Sequence, residues 1–305
     1  MTFKQKLSYC ENWNIGFVQY SPEEFVNNKS LLEIKWLQHP YKDRWFADPF
    51  IYKVSASEII VFVEEYPFET NIGRLVELVV DRKSFRLINR YLLLEQESHL
   101  SYPSIVRKDN NVYVFPENVA TGQFSAYLYD EKSHSLLFYK NIIKEPLADA
   151  TIVQIAEGME NLYLMTALKS PDVYKNLNLY FSKELFGDYS LYQQSPVSTS
   201  SEYSRPAGNW IKVKESWYRP AQDCSKRYGG GISIMRVLSF PTKQQNEEYK
   251  EELAFKLEPQ KGRYGFGIHT INFCDGFCVV DGYGWLYPTL GPLYNKVRNI
   301  WNRNY

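Results

Sequence analysis

The segment ADPFIYKVSASEIIVFVEE, residues 47–65, contains two runs of β-branched and aromatic residues joined by the polar turn SASE. This pattern is typical of an antiparallel hairpin. Four later segments repeat it, each beginning with Pro, Ala or Thr beside a polar residue: 101–117, 149–168, 204–223 and 268–282. The equivalent positions Pro49, Pro103, Ala150, Pro206 and His269 follow one another at intervals of 54, 47, 56 and 63 residues. A degenerate repeat of about 50 residues with about four strands per unit predicts a β-propeller.

The fifth repeat is short, and this predicts how the ring closes. Strand-like runs at 73–80, 84–94, 125–130 and 231–238 supply further strands to earlier units, but little strand-like sequence follows Gly282. The unused run NIGFVQY, residues 14–20, can complete the last unit and remove its open edge. The sequence therefore predicts an all-β fold: a five-bladed β-propeller over residues 1–290 and a short helical tail over 291–305.

Composition excludes several classes of protein. The 305 residues include 35 Lys+Arg and 35 Asp+Glu. A neutral chain lacks the basic excess that a nucleic-acid backbone requires, so we expect no nucleic-acid partner. The four cysteines form no CxxC pair, which argues against a zinc ribbon or disulfide scaffold. Neither a membrane-spanning apolar run nor a signal peptide is recognisable, and we expect a cytoplasmic protein. The 25 Tyr residues suit strands and also suit sugar binding.

Two segments outside the repeats have helical patterns. Ser21, Pro22 and Glu24 form a helix start before residues 25–32. The tail over 291–305 places Leu293, Val297, Ile300 and Trp301 on one helical face, with Lys296, Arg298 and Arg303 elsewhere. A basic amphipathic helix of this kind is typical of peripheral contact with an anionic membrane. Packing of the tail on the propeller is the alternative, and the sequence leaves both open.

The candidate site follows from the architecture. The first strand of each blade lines the central channel, so residues that begin these strands should converge at one mouth. Charged groups without a role are costly to bury, so such a set indicates a site. The candidate catalytic residues are Asp48, Asp149 and Glu117, and the candidate substrate-binding residues are Tyr102, Arg205, Arg219, Asp223, Lys226, Arg227 and His269. Each also has a structural interpretation: the carboxylates can cap turns, and the arginines can neutralise them.

At this point the motifs resemble a known family. WFADPF (45–50), HLSYPSIV (99–106), DATIV (149–153), SRPAG (204–208) and YRPAQDCSKRYGGGI (218–232) are similar to the N-terminal propeller domains of glucosamine inositolphosphorylceramide transferases, a family with many bacterial members from surface-polysaccharide loci. The similarity extends to HTIN (269–272), and RPAQDC followed by YG is its most specific motif. Eukaryotic members carry a separate C-terminal glycosyltransferase domain, so the resemblance alone does not assign the chemistry to the propeller.

A more distant resemblance is to the five-bladed glycosidases of glycoside hydrolase family 43. It implies a first-blade Asp as base, a third-blade Asp that tunes its pKa, and a fourth-blade Glu as acid. Asp48 and Asp149 match the first two by blade, but the fourth blade offers Arg205 where the acid is wanted. Hydrolysis requires an acid for the leaving oxygen, so the departure puts standard hydrolysis in doubt.

The residue types favour glycosyl transfer from a nucleotide sugar. A diphosphate leaving group needs cations or a metal, and the acceptor needs one carboxylate base. We expect Asp48 to be that base, Arg205 and Arg219 to hold the diphosphate, and the acceptor to be a glycan or lipid-linked glycan of a bacterial cell-surface polysaccharide. The sequence does not decide whether the reaction uses a divalent metal cofactor. The alternatives are a glycoside hydrolase and a non-catalytic carbohydrate-binding propeller.

Overall fold

The computed structural model describes residues 3–9, 11–31, 33–157, 160–240 and 248–303. In this part of the chain, five four-stranded antiparallel sheets form a five-bladed β-propeller, which confirms the predicted fold class. In chain order, the strands that begin the sequence are β1 (Asn12–Gln19) and β2 (Lys35–Trp36). Blade one contains β3 (Arg44–Val54), β4 (Glu58–Pro67), β5 (Arg74–Asp81) and β6 (Leu87–Leu94).

The next three blades each use four consecutive strands. Blade two contains β7 (Ser101–Lys108), β8 (Asn111–Glu117), β9 (Phe124–Asp130) and β10 (Ser135–Ile143). Blade three contains β11 (Leu147–Glu157), β12 (Glu160–Lys169), β13 (Asn178–Ser182) and β14 (Ser190–Leu191). Blade four contains β15 (Ile211–Val213), β16 (Ser216–Gln222), β17 (Ile232–Ser239) and β18 (Lys250–Leu257).

Blade five joins strands from distant parts of the sequence. Its order is β19 (Ile271–Cys274), β20 (Phe277–Gly284), β1 and β2. Strand β1 pairs antiparallel with β20 over its whole length, from Asn12 opposite Gly284 to Gln19 opposite Phe277. The pairing expected between residues 14–20 and the last hairpin is therefore present, and it removes the open edge of this blade.

The hydrophobic core lies between the blades. Five of the apolar clusters among the described residues each join two neighbouring blades. In one of them, Phe17 and Val279 of blade five pack with Phe46 and Val61 of blade one. Each blade is therefore buried on both faces, which explains why its strands are apolar with little alternation. This packing fixes the inner strands around a common axis.

Three α-helices lie outside the blades in the described part of the chain: α1 (Phe3–Ser8), α2 (Pro22–Asn28) and α3 (Leu290–Arg303). A short 3-10 helix, Val119–Thr121, follows β8. Helix α2 has Pro22 at its start, and Ser21 and Glu24 form the reciprocal hydrogen bonds of a capping box. It ends four residues before the predicted limit, because Lys29 adopts a left-handed conformation with φ 53°. Among the described residues, no helix combines the length and apolar character needed to span a bilayer.

Candidate active site

Three consecutive blades carry the same irregularity in their inner strands. The register shifts between residues 47 and 50, between 101 and 104, and between 148 and 151. At each shift one residue has positive φ: Asp48 at 50°, Tyr102 at 46° and Asp149 at 47°. Residues other than glycine adopt this conformation at an energetic cost, and they do so mainly where surrounding contacts enforce it. The repeated bulge therefore marks a built feature at the centre of the ring.

Carboxylates hold the backbone at each of these bulges. The N–H of Asp48 donates to Asp281 at 3.2 Å, and the N–H of Tyr102 donates to Asp48 at 3.2 Å. The N–H of Asp149 donates to Glu117 at 2.9 Å. Carboxylate side chains from blades five, one and two thus hold the backbone at the starts of blades one, two and three, respectively. These contacts are possible because the inner strands converge on one axis.

Asp48 is buried and lies in a network of donors. Its Oδ1 accepts the hydroxyl hydrogen of Thr270 at 2.7 Å, and Nε2 of His269 lies 3.6 Å from the same oxygen. Burial raises the pKa of Asp48 to about 7, against the opposing charge of His269 and with the help of nearby carboxylates that include Glu64 and Asp149. A carboxyl group that changes protonation near neutral pH suits a general base.

His269 lies between two carboxylates. Its Nδ1 lies 2.5 Å from Oδ2 of Asp281, and Oδ1 of Asp281 accepts the backbone N–H groups of His269 and Thr270 at 2.9 and 3.0 Å. Burial disfavours the imidazolium, but the charges of Asp281 and Asp48 outweigh burial and raise the pKa of His269 to about 9. The imidazole ring stacks on Trp13 with 4.1 Å between ring centroids. His269 is therefore a fixed cation beside Asp48 at neutral pH.

Asp149 has its own set of partners from the fourth blade. Its Oδ2 accepts from Nε of Arg205 at 2.5 Å and from the side-chain amide of Gln222 at 3.0 Å. Burial raises the pKa of Asp149 to about 7, opposed by the charge of Arg205 and reinforced by that of Glu117. Glu117 is also within 3.9 Å of Arg205. Arg205 therefore neutralises Asp149 and leaves only part of its guanidinium for a ligand.

Tyr102 connects three blades inside the protein. Its ring is fully buried, and its hydroxyl accepts the backbone N–H of Gly208 at 2.7 Å and contacts the Thr151 hydroxyl at 2.8 Å. Both hydrogen-bonding directions are thus used inside the protein. Tyr102 therefore connects blades two, three and four across the channel, and its role as a substrate contact stays a prediction.

Arg219 also lies apart from the group around Asp48. Its guanidinium forms two hydrogen bonds with the Glu251 carboxylate, at 2.9 and 2.6 Å, and a third with the Tyr203 carbonyl at 2.6 Å. The side chain is completely buried. Successive strand residues point to opposite faces, so Arg219 and Gln222, three positions apart on β16, point in opposite directions and only Gln222 reaches Asp149. Arg219 is therefore held in a buried ion pair with Glu251 and does not contact Asp149, and its role in holding a diphosphate stays a prediction.

The turn between β16 and β17 carries the remaining candidates. Asp223 accepts hydrogen bonds from Lys256 at 2.8 Å and from the Ser225 backbone N–H, and these contacts stabilise the turn. Lys226 and Arg227 are exposed, and Arg227 donates to the Phe266 carbonyl at 2.8 Å. These two cations lie on the same turn as Tyr228, whose ring contacts His269 and lies 5.2 Å from the guanidinium carbon of Arg205.

Five members of the central group are absent from the candidate residues of the sequence analysis: Trp13, Gln222, Tyr228, Thr270 and Asp281. Gln222 and Tyr228 stand inside the motif YRPAQDCSKRYGGGI, so the motif contained the signal. Trp13 precedes the closing strand segment and becomes central only because β1 joins blade five. Thr270 follows His269, and its proximity to Asp48, 222 positions away, depends on ring closure.

Asp48, His269 and Asp281 also offer one ligand atom each within 4.8 Å of one another, which is a potential metal-binding arrangement. Their atoms already accept or donate hydrogen bonds: both oxygens of Asp281 are used, and Oδ1 of Asp48 accepts from Thr270. A cation bound here would displace the proton between His269 and Asp281 and the Thr270 hydroxyl. The donor set fits a buried acid–base network better than a metal centre.

A cavity of about 840 Å³ lies beside blade one, between α1 and the segment that follows β4. Its lining includes Tyr9, Arg44, Phe68 and Arg74, and it includes none of the predicted site residues. Arg44 and Arg74 are both paired with the buried Glu65. This cavity is therefore separate from the network around Asp48.

The family model described as glucosamine inositolphosphorylceramide transferase 1, N-terminal, matches residues 25–274. The chain belongs to this family. The similar curated relatives include glucosamine inositolphosphorylceramide transferase 1 of Oryza sativa subsp. japonica, 28% identical over 255 residues, which are 81% of this chain and 33% of that protein. The relative with the same name from Arabidopsis thaliana is 26% identical over 269 residues, 83% of this chain and 34% of the relative. The chain thus spans about a third of these relatives.

Solved structures of low sequence identity are similar to this chain. The RS223 β-xylosidase is 12% identical, with a TM-score of 0.50 over 70% of this chain and 79% of that structure. An exo-β-1,3-galactanase from Phanerochaete chrysosporium is also 12% identical, with a TM-score of 0.49 over 64% of this chain and 48% of that structure. The similarity to the β-xylosidase supports the propeller fold.

Proposed function

We propose that this propeller is a glycosyltransferase that moves a sugar from a nucleotide-sugar donor to a hydroxyl group of a glycan or lipid-linked glycan during assembly of a bacterial cell-surface polysaccharide. Its family is named for a sugar transferase, and its centre contains the acid–base network that sugar chemistry uses. We place the reaction in the cytoplasm, a reducing compartment in which Cys224, Cys274 and Cys278, all free thiols, remain reduced.

The observation that carries the proposal is the pair of fourth-blade residues facing Asp149. A glycosidase must protonate the leaving oxygen with a carboxylic acid. At this position Arg205 and Gln222 contact Asp149, and neither side chain is an acid. A nucleoside diphosphate leaves without such an acid when cations stabilise its charge. The fourth blade is therefore suited to transfer.

The central residues take the following roles in the proposal. The acceptor hydroxyl loses its proton to Asp48, and its oxygen bonds to the anomeric carbon while the bond from that carbon to the diphosphate oxygen breaks. The electron pair leaves with the nucleoside diphosphate. His269 fixes Asp48, Asp149 orients Arg205, and Arg205, Lys226 and Arg227 receive the diphosphate.

Glu117 is the residue that supports hydrolysis as the alternative function. Its side chain is 15% exposed, compared with 6% for Asp48 and 3% for Asp149, and it touches both Asp149 and Arg205. A second-blade acid in this position can protonate a leaving sugar oxygen. The two reactions differ in their dependence on Glu117, because transfer to a hydroxyl needs only the base.

The test measures nucleoside diphosphate release from a panel of nucleotide sugars with glycan acceptors. We expect Asp48→Asn to lower turnover by a factor of about 100 to 10,000 and Glu117→Gln to lower it less than about tenfold. Asp188→Asn, an exposed carboxylate of blade three, is the matched control and should be unchanged. Cleavage of aryl glycosides that depends on Glu117 and needs no nucleotide would favour hydrolysis. Saturable sugar binding with no turnover of any substrate would contradict both enzymatic proposals.

A further inference from the structure

Helices α1 and α3 form a pair that stands outside the blades. Gly291 lies so close to α1 that an added Cβ would be 3.0 Å from the Leu7 carbonyl oxygen. The Asn295 side chain donates to the Ser8 carbonyl at 3.5 Å, and the Leu286 backbone N–H donates to the Tyr9 carbonyl at 3.1 Å. The face of α3 that contains Gly291 and Asn295 is therefore covered by α1.

Another face of α3 is apolar and exposed. Leu290, Leu293, Val297 and Ile300 follow one another at intervals of three, four and three residues, which aligns them along one side of the helix. Their exposed fractions are 52%, 61%, 53% and 53%. Phe3 of α1, 65% exposed, adds a further apolar side chain to the pair. This row argues against packing of the tail on the propeller; the side chain of Trp301 lies outside the described residues.

The charge around this row has one sign. Residues 285–305 contain Lys296, Arg298 and Arg303 and no acidic residue, and residues 1–10 contain Lys4 and Lys6 and no acidic residue. The whole chain has equal numbers of basic and acidic residues, so the remainder is net acidic. The molecule therefore concentrates positive charge in the two segments that carry the exposed apolar row.

We propose that the α1–α3 pair is a docking surface for an anionic lipid bilayer. The apolar row enters the boundary between headgroups and acyl chains, and the basic residues meet the anionic headgroups. A second copy of the chain fits this face less well, because the two segments that carry the row contain basic and no acidic residues and would repel the same segments of a partner. The surface is independent of the sugar chemistry and goes beyond it.

The experiment is co-sedimentation of the full chain with vesicles of phosphatidylcholine, with and without added phosphatidylglycerol. We expect binding to the anionic vesicles, weak binding to the neutral ones and loss of binding in high salt. The triple variant Leu293→Ser, Val297→Ser and Ile300→Ser should bind at least about tenfold more weakly, because each buried CH₂ that is lost weakens binding by a factor of about four. Lys296→Glu should weaken binding at least about fivefold, the contribution of one basic residue near an anionic surface.

A matched control distinguishes binding through this surface from non-specific adsorption of exposed apolar side chains to vesicles. Leu137 and Phe138 on β10 are 51% and 61% exposed, so Leu137→Ser with Phe138→Ser removes comparable apolar area elsewhere. This control should bind as the wild type does, and thermal melting should show that all variants stay folded. The proposal is overturned if the wild type ignores anionic vesicles, binds both vesicles equally, or loses binding equally in the β10 control. Light scattering that detects a dimer in the wild type but not in the triple variant would assign the face to a second copy.

Discussion

Replacement of Asp48 by Asn should increase stability at and above neutral pH while it lowers turnover. Asp48 has its pKa raised from 3.8 to about 7, because burial disfavours its charge. The folded protein therefore holds this proton to a higher pH than the unfolded chain does. Ionisation of the buried Asp48 therefore lowers the unfolding free energy. This loss is absent below about pH 4, grows as pH rises, and is complete above about pH 7. At about 1.4 kcal/mol per pKa unit, it reaches at most about 4 kcal/mol of unfolding free energy.

The pH dependence of the difference is the signature to measure. Asn carries no charge, so the unfolding free energy of Asp48→Asn minus that of the wild type should increase by about 2–3 kcal/mol between about pH 5 and about pH 8. The variant also loses about 1–3 kcal/mol of unfolding free energy at every pH, because the amide oxygen of Asn cannot accept both the Thr270 hydroxyl and the Tyr102 N–H. Urea unfolding at both pH values gives the difference, and turnover is followed in the same preparations.

Asp281→Asn is the matched control because the Asp281 carboxylate stabilises the folded protein, whereas the buried charge of Asp48 destabilises it. It accepts backbone N–H groups from Asp48, His269 and Thr270. Loss of its charge-assisted hydrogen bonds should lower stability by about 3 kcal/mol at about pH 5. The loss should be smaller at about pH 8, because Asp281 raises the pKa of His269 and the stability gained from that shift falls as pH rises towards about 9. Asp281→Asn should thus stay less stable than the wild type at both pH values, whereas Asp48→Asn should be the more stable protein at the higher one. A difference for Asp48→Asn that stays constant with pH would refute the view that Asp48 titrates near neutral pH in a buried site.

Further substitutions test the assignments one residue at a time. Arg219→Met leaves Glu251 buried without its partner and should destabilise the protein by about 3–5 kcal/mol in thermal melts; the additional change Glu251→Leu should restore much of this, and weaker nucleotide-sugar binding by the folded double variant would reinstate Arg219 as a donor contact. His269→Gln removes the cation that lowers the Asp48 pKa, so the acidic limb of kcat/KM should move from about pH 7 to higher pH; an unmoved limb would exclude the coupling. Tyr102→Phe should cost about 1–3 kcal/mol of stability and leave kcat unchanged, whereas a specific loss of kcat would return it to the substrate contacts.

The sequence alone was sufficient for the fold. The spacing of Pro49, Pro103, Ala150, Pro206 and His269 predicts one blade per hairpin, and the missing outer strands of the last hairpin predict closure by the N-terminal strand. Both features depend on local pattern, since strand propensity and turn residues act between neighbours in sequence. The same pattern brought Asp48, Asp149, Arg205 and His269 to the inner ends of the blades, because equivalent positions in a repeat occupy equivalent places in the ring.

The tertiary structure decided which of these groups are available for chemistry. Nothing in the local sequence shows that bulges at Asp48, Tyr102 and Asp149 change the side-chain alternation of their strands. Nor does it show that Glu251 neutralises Arg219 while Asp281, 233 positions from Asp48, holds the Asp48 backbone. Partners of this kind are chosen by contacts between distant segments, where burial makes every unpaired charge costly. The sequence therefore determined the ring and its polar centre, and only the folded packing determined which charges are paired there and which remain free to titrate.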